Sequence, residues 1–180
     1  VESAVGYIVQ ECEIGHDVKG RQGVKLYRSL LLDNCIASGK DCELGGAAYG
    51  NGQILTMGSI VTADSLHVIR HLVFEQKAIT MQGLVEALRD NWEGHELLRR
   101  TVVNRVPHFG NDDDEPDAMA RYVTEQIWTM LKRHRTNRGG VYTGLLVYYS
   151  RQLGFGRCTA ATPDGRFSGE ILEDSVGPWP

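Results

Sequence analysis

Residues 108–131 read HFGNDDDEPDAMARYVTEQIWTML, and the fold turns on whether the acidic half of this stretch binds an ion or starts a helix. Asp112, Asp113, Asp114, Glu115 and Asp117 crowd five acids into six positions, the oxygen density that Ca²⁺ or Mg²⁺ requires. An EF-hand loop also needs glycine at its sixth position and Glu at its twelfth. Starts at Asp112, Asp113 or Asp114 put Asp117, Ala118 or Met119 sixth. The last start does place Glu125 twelfth, but with Pro116 and Ala118 at ligand positions. The calcium template fails. A helix start explains more: Asp side chains accept from the unpaired first-turn amides, and Pro116 tolerates a position that needs no N–H. Ala118, Met119, Tyr122, Val123, Gln126, Ile127, Met130 and Leu131 then recur at the i, i+3, i+4 spacing of a core-facing stripe. Lys132, Arg133 and Arg135 complement the helix dipole at the far end. The spacing predicts the longest helix of the chain here.

Upstream, residues 24–38 carry helical apolar spacing, with Gly39 placed to end the helix. The stretch GGAAYGNGQILTMGSIV, residues 45–61, has β-branched residues, glycine and no helical period; it reads as a buried strand followed by a loop. Asp64 reads as the cap of a helix over 65–77, with Ser65, Leu66, Ile69, Leu72 and Val73 on the core side. His67, Arg70, His71, Glu75 and Lys77 fall on the polar side. Thr80 caps the next helix, which ends near Gly94, and a short helix covers about 95–104. Residues 141–161 read as two strands joined at Gly154-Phe155-Gly156, and the remaining tail is turn-rich. Helices alternating with glycine-rich strands give an α/β architecture.

The chain has 180 residues, is 42% hydrophobic and 23% charged, and carries a net charge of -4. That balance gives no electrostatic footprint for nucleic acid or an anionic membrane. No apolar run reaches the ~18 residues of a membrane span, and the first residues lack the layout of a signal peptide. The start at Val1, without Met, suggests an excised or incomplete segment. Cys12, Cys35, Cys42 and Cys158 form no C-x-x-C pair. Reduced thiols and a cytoplasmic location are the expectation. The 21 glycines cluster at 45–58, 139–144 and 154–169, marking tight backbone passages.

The glycine clusters miss the phosphate templates. Leu55 and Thr159 stand where a dinucleotide fingerprint needs glycine, and no Walker sequence or G-x-S-x-G elbow occurs. His67, His71 and Glu75 stand at i, i+4, i+8, a spacing able to present zinc ligands. With no further His or Cys at a helpful distance, a solvated polar face is the simpler account, so no metal is assigned. Residue chemistry alone identifies no nucleophile.

The order of the segments is more informative than any one of them. LLLDNCIASGKDCELGGAAYG (30–50), ADSLHVIRHLVFEQKAITMQGLVEAL, NWEGHELLRR, FGNDDDEPDAMA, NRGGVYTG and ATPDGRFSGEILEDS together resemble the glycyl radical enzymes. Within that family the resemblance is to the large formate-lyase-type domain of pyruvate formate-lyase and the glycyl radical diol dehydratases. It runs collinearly over about 24–177, while residues 1–23 match poorly. The chain is therefore divided into 1–23 and a portion of the barrel domain at 24–180, incomplete at both ends.

The resemblance implies an α/β barrel, of which this chain supplies about half, with helices packed around barrel strands. It implies a glycyl radical, installed by an activating enzyme that uses S-adenosylmethionine and an iron–sulfur cluster, and a cysteine thiyl radical that attacks a small organic substrate. A full-length homodimer acting as dehydratase, lyase or formate acetyltransferase follows, with no nucleic acid or membrane partner. Two motifs limit the transfer: the family's radical cysteine lies in Cys-x-Glu, whereas Cys12 is followed directly by Glu13, and the Arg-Val-x-Gly of the radical glycine does not occur. No catalytic residue is therefore assigned, no cofactor is expected to bind this chain directly, and the 180 residues alone are expected to be inactive. Gly50 stands where the family usually has Asn, which Asn51 replaces by a one-residue shift. Tyr49, Asn51, Tyr148 and Ser150, on strands that approach the family's active site, are the substrate-pocket candidates. Packed structural roles for them remain open, as do an inactive stand-alone remnant or interaction module and a metal-binding module.

Overall fold

A computed structural model describes residues 1–146, 151–173 and 176–178, which fall into two compact units. The first unit comprises residues 1–55 and 125–145, and the second 56–124 and 146–180.

In the first unit, α1 (Glu2–Gln22) sets Val5 and Val9 into a core with Ile54, Leu131 and Tyr142, and Cys12, Ile127, Trp128 and Met130 pack around it. The i, i+4, i+7 spacing of Val5, Val9 and Cys12 keeps them on one face. At 21 residues, α1 is longer than the helix after the acidic run; its weak apolar stripe hid it. The helix expected over 24–38 is two short ones, α2 (Leu26–Leu30) and α3 (Cys35–Ser38). Asn34 at φ 73° breaks the run, and Gly39 ends α3 at φ 62° as expected. Asp41 ties these pieces together: its carboxylate accepts from Lys25 N and Ser29 Oγ, both at 2.8 Å, and from Glu43 N at 2.9 Å.

The strand region resolves as β1 (Gly52–Leu55), paired in parallel with β2 (Tyr142–Leu145) in the register Gly52↔Tyr142 through Leu55↔Leu145. Close backbone approach explains its glycines. A Cβ on Gly140 would lie 2.4 Å from the Gly50 carbonyl carbon, and one on Gly50 would lie 2.1 Å from Arg138 O. Thr136 Oγ1 donates to Gly50 O at 2.6 Å and accepts from Gly140 N at 3.0 Å, pinning the crossing.

In the second unit, α4 (Ser59–Val68) begins six residues before the expected start and runs into a π-helical segment, Ile69–Glu75, in which Gln76 N reaches back five residues to His71 O. Asp64 is therefore a helix-interior residue, not a cap. The N-terminal amide of Ile60 is instead satisfied by Glu173 Oε1 at 3.1 Å. The expected division of faces fails as well: His67 has 0% exposure while Leu66 is 39% exposed. Residues on every side of α4 are buried, and the wider winding that follows shifts the periodicity. α5 (Met81–Arg89) is capped by Thr80 Oγ1, which accepts from Gly83 N at 3.1 Å. After it come α6 (Glu96–Arg105) and the first part of α7 (Asp114–Lys132), whose residues from Glu125 onward belong to the first unit. The core joins Val68, Leu72, Leu84, Ala87, Trp92, Val102 and Val106.

The acidic run is a helix start. Asp113 Oδ1 accepts from Glu115 N at 3.0 Å, and Asp117 Oδ1 from Gly110 N at 2.9 Å. The buried stripe of α7 is rotated from the expected one. Pro116, Ala120, Val123 and Leu131 are buried, whereas Ala118, Tyr122 and Gln126 are exposed. The Gly154-Phe155-Gly156 turn is instead part of a short helix, α8 (Gln152–Arg157). Within the turn-rich tail, ATPDGR forms a turn, with Gly165 at φ 100° and Arg166 donating to Glu170 O.

Gly140→Ala should destabilise the protein by about 1–3 kcal/mol or more, because both clashing partners are backbone. Gly154→Ala, in a helix with open space around its Cβ position, should be neutral or stabilising by up to about 1 kcal/mol. Urea midpoints of the two variants check the pair.

Candidate functional site

The four pocket candidates divide sharply. Tyr49 sits just before β1 and is 87% exposed, so its phenol is presented outward. Asn51 is committed to backbone: its Oδ1 accepts from Val141 N at 3.1 Å and its carbonyl from Arg138 Nη2 at 3.4 Å. This accounts for the order Gly50-Asn51, since Gly50 must pass close to Arg138 while the following side chain reaches β2's entry. Tyr148 and Ser150 lie outside the described residues.

Beneath β1, Tyr142 is fully buried and donates its hydroxyl to Glu13, 129 residues away. Gly52 makes room, because a Cβ there would lie 2.3 Å from the Tyr142 ring. Glu13 Oε2 also accepts from Asn137 N at 2.8 Å. His16 lies 3.9 Å from Glu13 and 3.4 Å from Arg138 Nη2, and Arg138 Nη1 is 3.7 Å from Glu43. Burial, then the Glu13 carboxylate, pushes the Tyr142 phenol far above its ordinary range. It is a hydrogen-bond donor bracing α1 on the strand pair. Burial and Glu13 also raise the Cys12 thiol above its ordinary value.

The second unit holds a buried ionic cluster that the sequence did not reveal. Asp64, with no exposed surface, accepts from Phe109 N at 2.9 Å and faces His108 Nδ1 at 3.5 Å. The opposite nitrogen of His108, Nε2, lies 3.0 Å from Val102 O. A carbonyl can only accept, so that nitrogen carries a proton. Burial opposes charge on His108, but Asp64, the Val102 carbonyl and Asp164 outweigh it and raise the imidazole. Burial pushes the Asp164 carboxyl up as well. Arg166, also fully buried, is held mainly by backbone: Nη1 donates to Glu170 O at 2.7 Å and Nη2 to Thr159 O at 3.2 Å and to Ala160 O, while Nε donates to Thr162 Oγ1 at 3.3 Å. Trp92 Nε1 closes the arrangement on Arg166 O at 3.3 Å. The cluster organises the backbone and does not face solvent.

On the same unit, one ligand atom each from His67, His71 and Glu115 lies within 4.8 Å of the others. Glu75, the acid that sequence spacing put beside the histidines, turns to Arg70 Nε at 3.2 Å and His71 Nδ1 at 3.5 Å. Burial, followed by Arg70 and His71, lowers the His67 imidazole below its usual value. No local signal pairs Glu115 with His67 or His71, because it comes from the start of another helix.

Comparison with known proteins gives these residues a context. Residues 1–156 match the family model described as "Pyruvate formate lyase-like". The chain is 35% identical over 153 residues to a (2S)-3-sulfopropanediol dehydratase of Klebsiella oxytoca, covering 84% of this chain and 18% of that protein. It is 32% identical over 150 residues to a trans-4-hydroxy-L-proline dehydratase of Clostridioides difficile, covering 83% and 19%. The glycerol-bound B12-independent glycerol dehydratase of Clostridium butyricum superposes with a TM-score of 0.93 at 31% identity, over 98% of this chain and 22% of that one. The chain thus spans about a fifth of the length of the relatives it matches.

The buried cluster sets a pH dependence. His108 is raised, so its contribution to stability is complete below its unfolded value of 6.5 and is lost as pH rises through the higher folded value. His108→Gln should cost about 1.5–3 kcal/mol in mildly acidic solution, the range for a hydrogen bond to a charged group. The cost should shrink as pH rises. Urea midpoints of both proteins across that interval measure the difference; a pH-independent gap would refute a charged His108.

Proposed function

Because the chain belongs to the pyruvate formate lyase-like family of glycyl radical enzymes, we propose that it forms barrel wall and part of the substrate pocket in an enzyme that cleaves a small organic substrate by radical chemistry. The observation that carries this reading is the agreement of sequence and fold over nearly the whole chain, including a TM-score of 0.93 to the glycerol dehydratase. The fold is accordingly α/β, part of the glycyl radical enzyme barrel. Dehydration of a vicinal diol or related hydroxylated substrate is the favoured reaction. The sulfopropanediol, hydroxyproline and glycerol enzymes are all named dehydratases; a lyase reaction, as in the isethionate sulfite-lyases, is the nearest variant.

The chain's own part is positional. No Arg-Val-x-Gly or Cys-x-Glu sequence occurs in these residues, so they do not fit the radical-bearing sites and no radical step is assigned to them. Tyr49 presents a phenol to bind a substrate hydroxyl, and Tyr148 and Ser150 are further pocket candidates of the full enzyme. Asn51 holds the backbone that aims Tyr49, through Val141 and Arg138. The exposed apolar side chains of Leu26, Tyr27, Leu30, Leu31 and Ile36 support a wall role, since a patch of this kind marks a surface for packing. The radical would be installed by an activating enzyme that uses S-adenosylmethionine and an iron–sulfur cluster, in a cytoplasmic homodimer. Among the described residues, no helix is long and apolar enough to cross a membrane.

The test is anaerobic activation of the protein expressed from its complete reading frame. Electron paramagnetic resonance should show a glycyl-radical doublet, and a panel of glycerol, 1,2-propanediol, sulfopropanediol, isethionate and hydroxyproline should identify a turned-over substrate. Tyr49→Phe should lower kcat/KM about tenfold, the loss of one hydrogen bond worth ~1.4 kcal/mol, with the radical signal unchanged. A silent spectrum after activation would exclude the radical enzyme, and an unaltered kcat/KM would remove Tyr49 from the pocket.

A further inference from the structure

The His67, His71 and Glu115 cluster is absorbed neither by the fold nor by radical chemistry. His67 is completely buried, and among the described residues its Nε2 has no hydrogen-bond partner. An imidazole nitrogen in that position is costly unless something binds it. Its ring stacks on His71 at a centroid distance of 5.8 Å and an interplanar angle of 23°. His71 has a carboxylate beside Nδ1, Glu75 at 3.5 Å, which leaves Nε2 to take an ion in place of the Gln76 amide that now lies 2.8 Å from it. A carboxylate behind an imidazole fixes the tautomer and orientation of a metal-binding histidine. Glu115 supplies the third donor, from the first turn of α7.

We propose that these three residues bind a divalent transition-metal ion of borderline softness, Zn²⁺ above all, through two imidazole nitrogens and one carboxylate oxygen. Two nitrogens and one oxygen suit Zn²⁺ and Co²⁺, whereas Ca²⁺ and Mg²⁺ take all-oxygen shells. Bond lengths of ~2.0–2.2 Å place tetrahedral donors about 3.4 Å apart. The present separations, all within 4.8 Å, close to that value by rotation of the more exposed His71 and Glu115 side chains about a fixed His67. Water fills the fourth position. Arg70 is the competing cation: it holds Glu115 at 3.1 Å and Glu75 at 3.2 Å. Metal binding leaves Arg70 on Glu75 and transfers a Glu115 oxygen to the ion. The ion would clip the π-helical segment to the start of α7, two elements joined otherwise at this point by the Arg70–Glu115 pair.

The experiment uses the protein from its complete reading frame, stripped of metal and kept reduced, titrated with Zn²⁺ by calorimetry and with Co²⁺ by visible absorption. His71→Ala and Glu115→Gln, both at accessible positions, avoid disturbing the buried ring. His71→Ala should lose one equivalent of bound Zn²⁺ relative to wild type, and Glu115→Gln should weaken that equivalent at least tenfold. The Co²⁺ spectrum lost in the variants should lack thiolate-to-metal charge transfer. An unchanged stoichiometry and affinity in both variants, or a thiolate band in the lost component, would overturn the proposal. Radical activity does not enter this readout, so its failure and that of the enzymatic reading are separate.

Discussion

A carboxylate without exposed surface must find donors inside the protein, and Asp64 places that demand in the middle of α4. The Phe109 amide meets it at Oδ1, and the His108 ring faces Oδ2 at 3.5 Å, which fixes the passage between α6 and α7. His108 in turn holds the end of α6 through Val102 O, and Asp164 shares the same field. Such a network is expensive to break from one side, because the remaining charge stays buried. The apolar core of Val68, Leu84, Trp92 and Val102 assembles in the same unit, joined to the polar cluster by the indole bond to Arg166 O.

Physical convergence also explains why scattered sequence segments were recognisable together. Asp64 comes from ADSL, Phe109 from FGNDDD, Asp164 and Arg166 from TPDGR, and Glu173 from GEILEDS. In the second unit these segments make long-range polar contacts: Asp64 bonds Phe109, and Glu173 caps α4. The markers of the family are therefore structural supports. That fits a chain whose proposed contribution to catalysis is to position a wall and not to carry the reacting atoms.

The first unit obeys a different constraint, the distance between backbones. Gly50 and Gly140 allow the chain before β1 to lie against the chain before β2, and Gly144 lies where a Cβ would meet the Trp128 ring at 1.9 Å. Tyr142 fills the space left by Gly52 and anchors Glu13 of α1. Tyr49, by contrast, lies off this packed region and is exposed.

The α/β class, the capped start of α7, the Thr80 cap, the Gly39 stop and the turn-rich tail were legible in the sequence alone. All of these depend on residues within a few positions of one another. The residue order also carried the family, because collinear segments preserve shared contacts even when the contacts are unseen. Only the tertiary structure decided that Asp64 is an interior anchor, that His67 is buried, that α7's stripe is rotated, and that Glu115 joins two histidines. Each depends on a partner far along the chain: 45 residues from Asp64 to Phe109 and 113 from Ile60 to Glu173. A local pattern records which residues can cap, pack or ligate; which partner they meet is set by the packing of distant elements.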